Sequence, residues 1–363
     1  MAEEPKHPND PDRVHLRDWL GLARAVPAAF DVRKLLLAAV GLLVLEAGWS
    51  AIGRLAPDPH LDSPRVLGFA SLYGELFEPP GAFVEALRRP AWNLTRPVRL
   101  LVEPLSAIFA IDGLGGDVLS SLGRLVLAVV VMGVVGGAIC RLAVAEAGTG
   151  DRAGLRESLG FAFRNAWGLS AAPLYPLAIV LLLGGASAGF GLVARFLPSL
   201  TAALFAVPML LGLTSAAFLV LAIATWPLIH AAIAAESEEA VEAIGRTYGY
   251  VKHRPMTLAA CVAAAWALGT LGLAAFEVFL WAGMHLGVWG MGLAAFPSRP
   301  GAIGGEIEAW TAVVGLALQA WTFAFFWSAA VRAYLLFRQD VDGGLRPGIA
   351  TTAGEAGGSA ALR

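Results

Sequence analysis

Six long apolar stretches dominate this sequence and limit what it can fold into. Each is long enough to cross the roughly 30 Å hydrocarbon core of a bilayer as a helix. Inside that core every backbone N–H and C=O group must be satisfied within the protein, so only helices and closed barrels cross it. We therefore predict an all-α fold, a polytopic transmembrane helical bundle with about six spans. The six stretches are 35–54, 118–140, 171–194, 201–233, 256–283 and 308–337.

Composition agrees with a bilayer as the solvent. Hydrophobic residues make up 57% of the 363 residues, charged residues only 15%, and the mean hydropathy is +0.67. A net charge of -2 gives no basic excess for binding phosphates, so nucleic acid is not an expected partner. Both cysteines, Cys140 and Cys261, lie in apolar stretches, and the histidines show no metal-ligand spacing. No cofactor or metal site is therefore expected.

The charge pattern divides the chain into three parts. Residues 1–34 form a polar lead-in in which apolar side chains recur at helical spacing over 16–26, which predicts an amphipathic helix on the membrane surface. Residues 35–337 form the transmembrane domain. Residues 338–363, rich in Gly, Ala and Thr, are predicted to be a disordered tail.

Within the transmembrane domain, residues 55–117 form a long segment between the first two spans. Its apolar run over 98–111 is broken at Pro104, which disfavours a straight spanning helix. We interpret this run as either an interfacial or a re-entrant element.

The fourth stretch, 201–233, is longer than one crossing requires. It should tilt, extend beyond the bilayer, or kink at Pro208 or Pro227. A seventh crossing within 188–206 is the alternative.

Orientation follows from the lysines and arginines close to the span ends, which are enriched in cytoplasmic loops. They cluster before span 1, between spans 2 and 3, between spans 4 and 5, and after span 6. Both termini are therefore predicted to be cytoplasmic, in a multi-pass protein of a bacterial inner membrane. The long segment 55–117 also carries arginines, but long loops follow the charge rule weakly.

The two cytoplasmic connections resemble each other. In the first elbow (136–164) a span ends with an Ala-rich turn at Glu146, and in the second (226–255) with one at Glu236. A short amphipathic helix follows in each, with aromatic residues that anchor it in the interface. We predict that the span–elbow–span unit is duplicated. The alternative is that any cytoplasmic hairpin selects these residue types.

The two elbows resemble the signature hairpins of an uncharacterised multi-pass membrane family of planctomycete-type bacteria. They read GGAICRLAVAEAGTGDRAGLRESLGFAFR and WPLIHAAIAAESEEAVEAIGRTYGYVKHRP, and RPVRLLVEPLSAIFAID (96–112) fits the same family. More distantly, they are similar to the membrane domain of some glycerophosphodiester phosphodiesterases. The resemblance implies a multi-pass fold and carries no activity.

Glu46 is the most informative single residue. It lies 11 residues into the first stretch, so close to the bilayer midplane. An acid at that depth costs roughly 2.5–3.5 kcal/mol on insertion scales and is a candidate functional residue. Gln319 lies at comparable depth in the sixth stretch. The pair is either a hydrogen bond that joins two helices or the polar site of a transport path.

Four further candidate binding residues belong to the elbows, where they could bind anionic lipid headgroups or a cytoplasmic partner. The alternative is that they only match helix dipoles and extend to the membrane interface. They are Arg141, Glu146, His230 and Glu236.

The leading functional hypothesis is a non-enzymatic integral membrane protein that interacts with membrane lipids or other membrane proteins. The first alternative is a small-solute or lipid transporter with its polar site at Glu46 and Gln319. The second is an integral membrane lipid enzyme, which ranks last because the sequence shows no nucleophile–base pair and no metal-ligand pattern.

Overall fold

The structure, a computed structural model, describes residues 21–55, 82–109, 116–148, 153–237, 239–294 and 304–342. In these residues the regular secondary structure is helical and no strand occurs, so the fold is all-α as predicted. The helices are α1 (Ala25–Ala28), α2 (Val32–Leu55), α3 (Ala82–Leu94), α4 (Arg96–Ile108), α5 (Gly116–Gly148), α6 (Leu155–Arg164), α7 (Ala166–Ala171), α8 (Leu174–Ala194), α9 (Pro198–Ala203), α10 (Ala206–Glu236), α11 (Ala240–His253), α12 (Pro255–Ala294) and α13 (Gly304–Asp342).

Six spans in the described residues are long and apolar enough to cross a membrane. They are α2, α5, α7 with α8, α10, α12 and α13, in the order of the predicted stretches. This confirms the prediction of a polytopic helical bundle. The predicted alternative of a seventh crossing is wrong, because only the short α9 lies between the end of α8 and the start of α10. Pro227 lies inside α10, which continues through it as one helix.

The bundle core forms where α2, α5, α10 and α13 meet. α2 and α5 are antiparallel, with Gly41 against Val135 and Gly48 against Leu127. α13 supplies large buried aromatic side chains, and a Cβ at Gly136 of α5 would overlap the ring of Trp327. Close approach of the two backbones therefore requires a residue without a side chain at that point.

Both elbows lie at the same end of the bundle. The Arg141 guanidinium near the end of α5 donates a hydrogen bond of 2.9 Å to the carbonyl of Ala234 near the end of α10. Lys34 at the start of α2 and Tyr334 near the end of α13 contact this end as well. We call it the elbow end.

Helices α3 and α4 follow the first span in the chain and pack on the bundle, α3 mainly against α12 and α4 mainly against α5. α4 covers only about 20 Å at ~1.5 Å per residue, too short to cross the core. Its Leu105 packs against Leu125 and Val129 of α5, and Leu94 at the end of α3 belongs to a buried cluster with Phe325. Because α2 ends and α5 begins opposite the elbow end, this geometry supports the re-entrant alternative.

The described part of the lead-in packs on the bundle. Leu22, Ala25 and Ala29 are buried, and Val26 lies beside Gly272 of α12. Residues 16–20 of the predicted surface helix lie outside the described residues.

The predicted start of the tail at 338 is too early. Residues 338–342 prolong α13, and two ion pairs connect them to the second elbow: Arg338 with Glu236 and Asp340 with Arg254. The remainder, 343–363, lies outside the described residues.

Candidate functional site

Each elbow consists of a long helix with a glutamate at or near its end, Glu146 in α5 and Glu236 in α10, followed by a short helix. Ser237 ends α10 in the left-handed region (φ 54°), and its N–H donates a 2.9 Å hydrogen bond to the Ile233 carbonyl. Both short helices carry an acid in the first turn, Glu157 in α6 and Glu242 in α11, and basic residues in the last turn. This charge order matches the helix dipole at both ends. The secondary structure of the predicted duplication is thus present at both elbows.

Glu146 holds the start of the first span. Its Oε2 lies 2.6 Å from Nζ of Lys34, whose side chain is 0% exposed. The same ammonium donates to the Ala28 carbonyl at 3.1 Å and to Oγ of Ser328 at 3.4 Å. Each of the three N–H donors of the Lys34 ammonium therefore has an acceptor within the protein.

Glu236 makes the equivalent connection at the second elbow. The Tyr334 hydroxyl donates to its Oε1 at 2.5 Å, and Arg338 of α13 lies 3.5 Å from the same oxygen. Arg246 of α11 forms an ion pair with its other oxygen. Each elbow glutamate thus fastens its helix to a span outside the duplicated unit.

Arg141 and His230 lie between the two elbows. The Arg141 guanidinium lies 5.1 Å from the centre of the Phe161 ring, so it links the first elbow to α10 through two contacts. His230 is 0% exposed, with Nδ1 3.1 Å from the Trp226 carbonyl and its ring 5.0 Å from that of Trp327. Both side chains join helices, and His230 is enclosed by protein.

Glu46 and Gln319 differ in their surroundings. Glu46 on α2 is half-buried, whereas Gln319 on α13 is 2% exposed. The structure gives Glu46 an electrostatic interaction with Arg96 at the start of α4. The sequence gives no sign of this partner, because Arg96 precedes the apolar run 98–111 and its pattern is that of an outer segment.

A lateral crevice separates α10 from α12 on the elbow side of the bundle. Its cavity has a volume of about 280 Å³, and apolar side chains dominate its lining. Ala329 and Ala333 of α13 form its back, Pro227 one wall, and Thr95 and Leu94 its closed end. Val262 and Trp266 of α12 line it and are 53% and 50% exposed, so it opens to the side of the bundle.

The sequence could not reveal this crevice, because an alanine facing a cavity and an alanine facing a helix look alike. In the described residues no cluster of three or more His, Cys, Asp or Glu could hold a metal ion.

No family model, curated protein or solved structure matches this chain. The resemblance of the elbows to a planctomycete-type membrane family therefore stays a prediction.

Proposed function

We propose that this chain is a non-enzymatic integral membrane protein that interacts with membrane lipid through the lateral crevice between α10 and α12. The observation that carries the proposal is the crevice itself, an apolar cavity that opens sideways at bilayer depth. Its volume of about 280 Å³ lies just below the roughly 300–1,000 Å³ typical of pockets for drug-sized ligands. A hydrocarbon chain is the ligand that the bilayer offers to such a cavity.

The charged residues of the elbows support this assignment, because their partners lie within the protein. Glu146 and Glu236 are taken up by ion pairs with neighbouring helices, and Arg141 by a backbone carbonyl and a ring. We assign these three residues a structural role. Lipid interaction is then assigned to the apolar crevice and not to a charged belt.

Lipid retention after purification tests the proposal. Ala259 is exposed and lines a depression that adjoins the crevice and shares Leu258, Val262 and Trp266 with it, so Ala259→Trp should narrow the opening of the crevice. We expect this variant to retain less phospholipid per protein, as measured by mass spectrometry of the detergent-purified protein. Ala260→Trp is the matched control, because Ala260 is exposed on the same helix turn but does not line the crevice. Equal retention in both variants would contradict the proposal.

A second candidate function, a lipid transporter, is favoured by one observation. Glu46 and Arg96 place opposite charges at comparable depth inside the bundle, and α4 begins there as a re-entrant helix. Interrupted helices with charges near the midplane are typical of transporters. The test is movement of a fluorescent phosphatidylglycerol between leaflets of proteoliposomes. Transport that Glu46→Gln abolishes supports this candidate, and the absence of transport by the wild type excludes it.

A further inference from the structure

We infer that the crevice binds one acyl chain of an anionic phospholipid that belongs to the leaflet on the elbow side. This inference rests on the proposed function and deepens it by naming the ligand class. Three observations carry it: the depth of the crevice, its closed end and the charges at its mouth.

The depth of the crevice matches one leaflet. Along α12 the lining of the crevice extends from Leu258 to Trp266, and an adjoining depression that shares both residues continues it to Pro255 at the helix start. From Pro255 to Trp266 the helix rises about 16 Å over 11 residue steps, roughly half of the 30 Å hydrocarbon core. An acyl chain that enters from the elbow side can therefore lie in the crevice over the depth of one leaflet.

The closed end shows from which leaflet the chain comes. Leu94, Thr95 and Val98, at the junction of α3 and α4, line the cavity, and Leu94 also contacts Gly269, which lies three residues beyond Trp266. This junction therefore lies at the end of the cavity away from the elbows. A chain from the opposite leaflet would have to pass it, whereas the exposed Val262 and Trp266 leave the cavity open laterally.

Basic side chains stand at the mouth. Lys252 is exposed and Arg254 half-buried, directly before Pro255. Arg254 lies 3.3 Å from Asp340, which fixes its position but leaves 42% of its side chain exposed. Basic groups at the membrane surface attract anionic lipids, and one net positive charge contributes roughly five-fold in affinity. Because Asp340 offsets the charge of Arg254, Lys252 supplies that net charge. A phosphoglycerol headgroup is therefore favoured over a zwitterionic one at this position.

Quenching of tryptophan fluorescence by brominated lipid tests the inference, because Trp266 forms a wall of the crevice. The full chain is reconstituted in phosphatidylethanolamine bilayers that contain either brominated phosphatidylglycerol or brominated phosphatidylethanolamine at the same mole fraction. The Trp266 signal is the difference between the wild type and Trp266→Phe. We expect brominated phosphatidylglycerol to quench this signal with roughly five-fold higher apparent affinity.

Two charge variants locate the headgroup. Lys252→Gln combined with Arg254→Gln should remove the preference for phosphatidylglycerol. Arg195→Gln is the matched control, because Arg195 is exposed at the end of α8 away from the elbows. Loss of the preference in Arg195→Gln would place the lipid in the other leaflet and overturn the inference.

The experiment distinguishes failure of the headgroup inference from failure of the proposed lipid binding. The blocking residue in this experiment is phenylalanine, because an added tryptophan would contribute its own fluorescence. If both brominated lipids quench Trp266 equally, and Ala259→Phe reduces both signals, the crevice binds lipid but the headgroup inference is wrong. If Ala259→Phe and Ala260→Phe leave the quenching by both lipids unchanged, the crevice does not bind lipid and the proposed function fails with it.

Discussion

The two halves of α10 meet very different surroundings. From Thr225 to Ala235 every residue is buried against α5, α11 or α13. The most apolar 18-residue stretch of the helix precedes Thr225, and none of its residues is buried. Both halves are apolar. The half at the elbow end carries Trp226 and His230 and then four alanines within 231–235, whereas the opposite half carries Leu, Val and Phe.

This difference shows that in a bilayer burial in protein and apolar character are separate properties. A helix that faces lipid needs no polar face, because the hydrocarbon is as apolar as a leucine side chain. A helix at the centre can carry polar groups if they find partners. α13 illustrates this. It is the least apolar of the six spans, and 72% of the residues in its most apolar 18-residue stretch are buried.

The largest expected effect tests the ion pair that anchors the elbow end. Glu146→Gln leaves the fully buried Lys34 ammonium without its counter-charge. Removing one partner of a buried pair costs roughly 3–5 kcal/mol, and the 41% exposure of Glu146 should reduce this to about 2–3 kcal/mol. Unfolding by SDS titration in mixed micelles measures the change.

The matched variant for this pair is Lys34→Met, which removes the buried charge and keeps the side-chain volume. We expect it to be close to neutral, and to rescue Glu146→Gln in the double variant. If Lys34→Met destabilises as much as Glu146→Gln, the unpaired charge of Lys34 is not the cause of the destabilisation.

The second prediction compares glycines in the core and at the periphery. A Cβ at Gly136 would overlap the Trp327 ring, so Gly136→Ala should destabilise by about 1–3 kcal/mol. Gly189 on α8 has open space where its Cβ would lie, so Gly189→Ala should be neutral or stabilise by up to ~1 kcal/mol. Thermal unfolding in one detergent measures both.

A result in which Gly189→Ala loses as much stability as Gly136→Ala would break the distinction between core and periphery. It would indicate that α8 packs closely against another molecule in the membrane.

The sequence predicted the spans and elbows but not the packing, and the reason is physical. Span length follows from the thickness of the bilayer, and the elbows were visible because they interrupt apolar stretches with charge. The face that a span turns to its neighbours leaves no periodic signal when all faces are apolar. Lys34 was therefore interpreted only as a marker of orientation, and Arg96 as part of an outer loop.

The smallest expected effect concerns the pH dependence of the elbow end. Burial acts to raise the pKa of Asp31, but hydrogen bonds from Arg33, at 2.9 Å to the backbone N–H and 2.6 Å to Nη2, outweigh burial and lower that pKa below its ordinary 3.8. Because the folded state favours the carboxylate, this contribution to stability is present above pH ~3.8 and is lost as the pH falls through the lowered pKa. The melting temperature of Asp31→Asn should therefore lie below that of the wild type at neutral pH, and the two should converge in acid below 3.8. A difference in melting temperature that persists unchanged at pH 2.5 would show that Asp31 acts through packing and not through its charge. The elbow end would then be held by packing, as the apolar half of α10 is, and less by ion pairs.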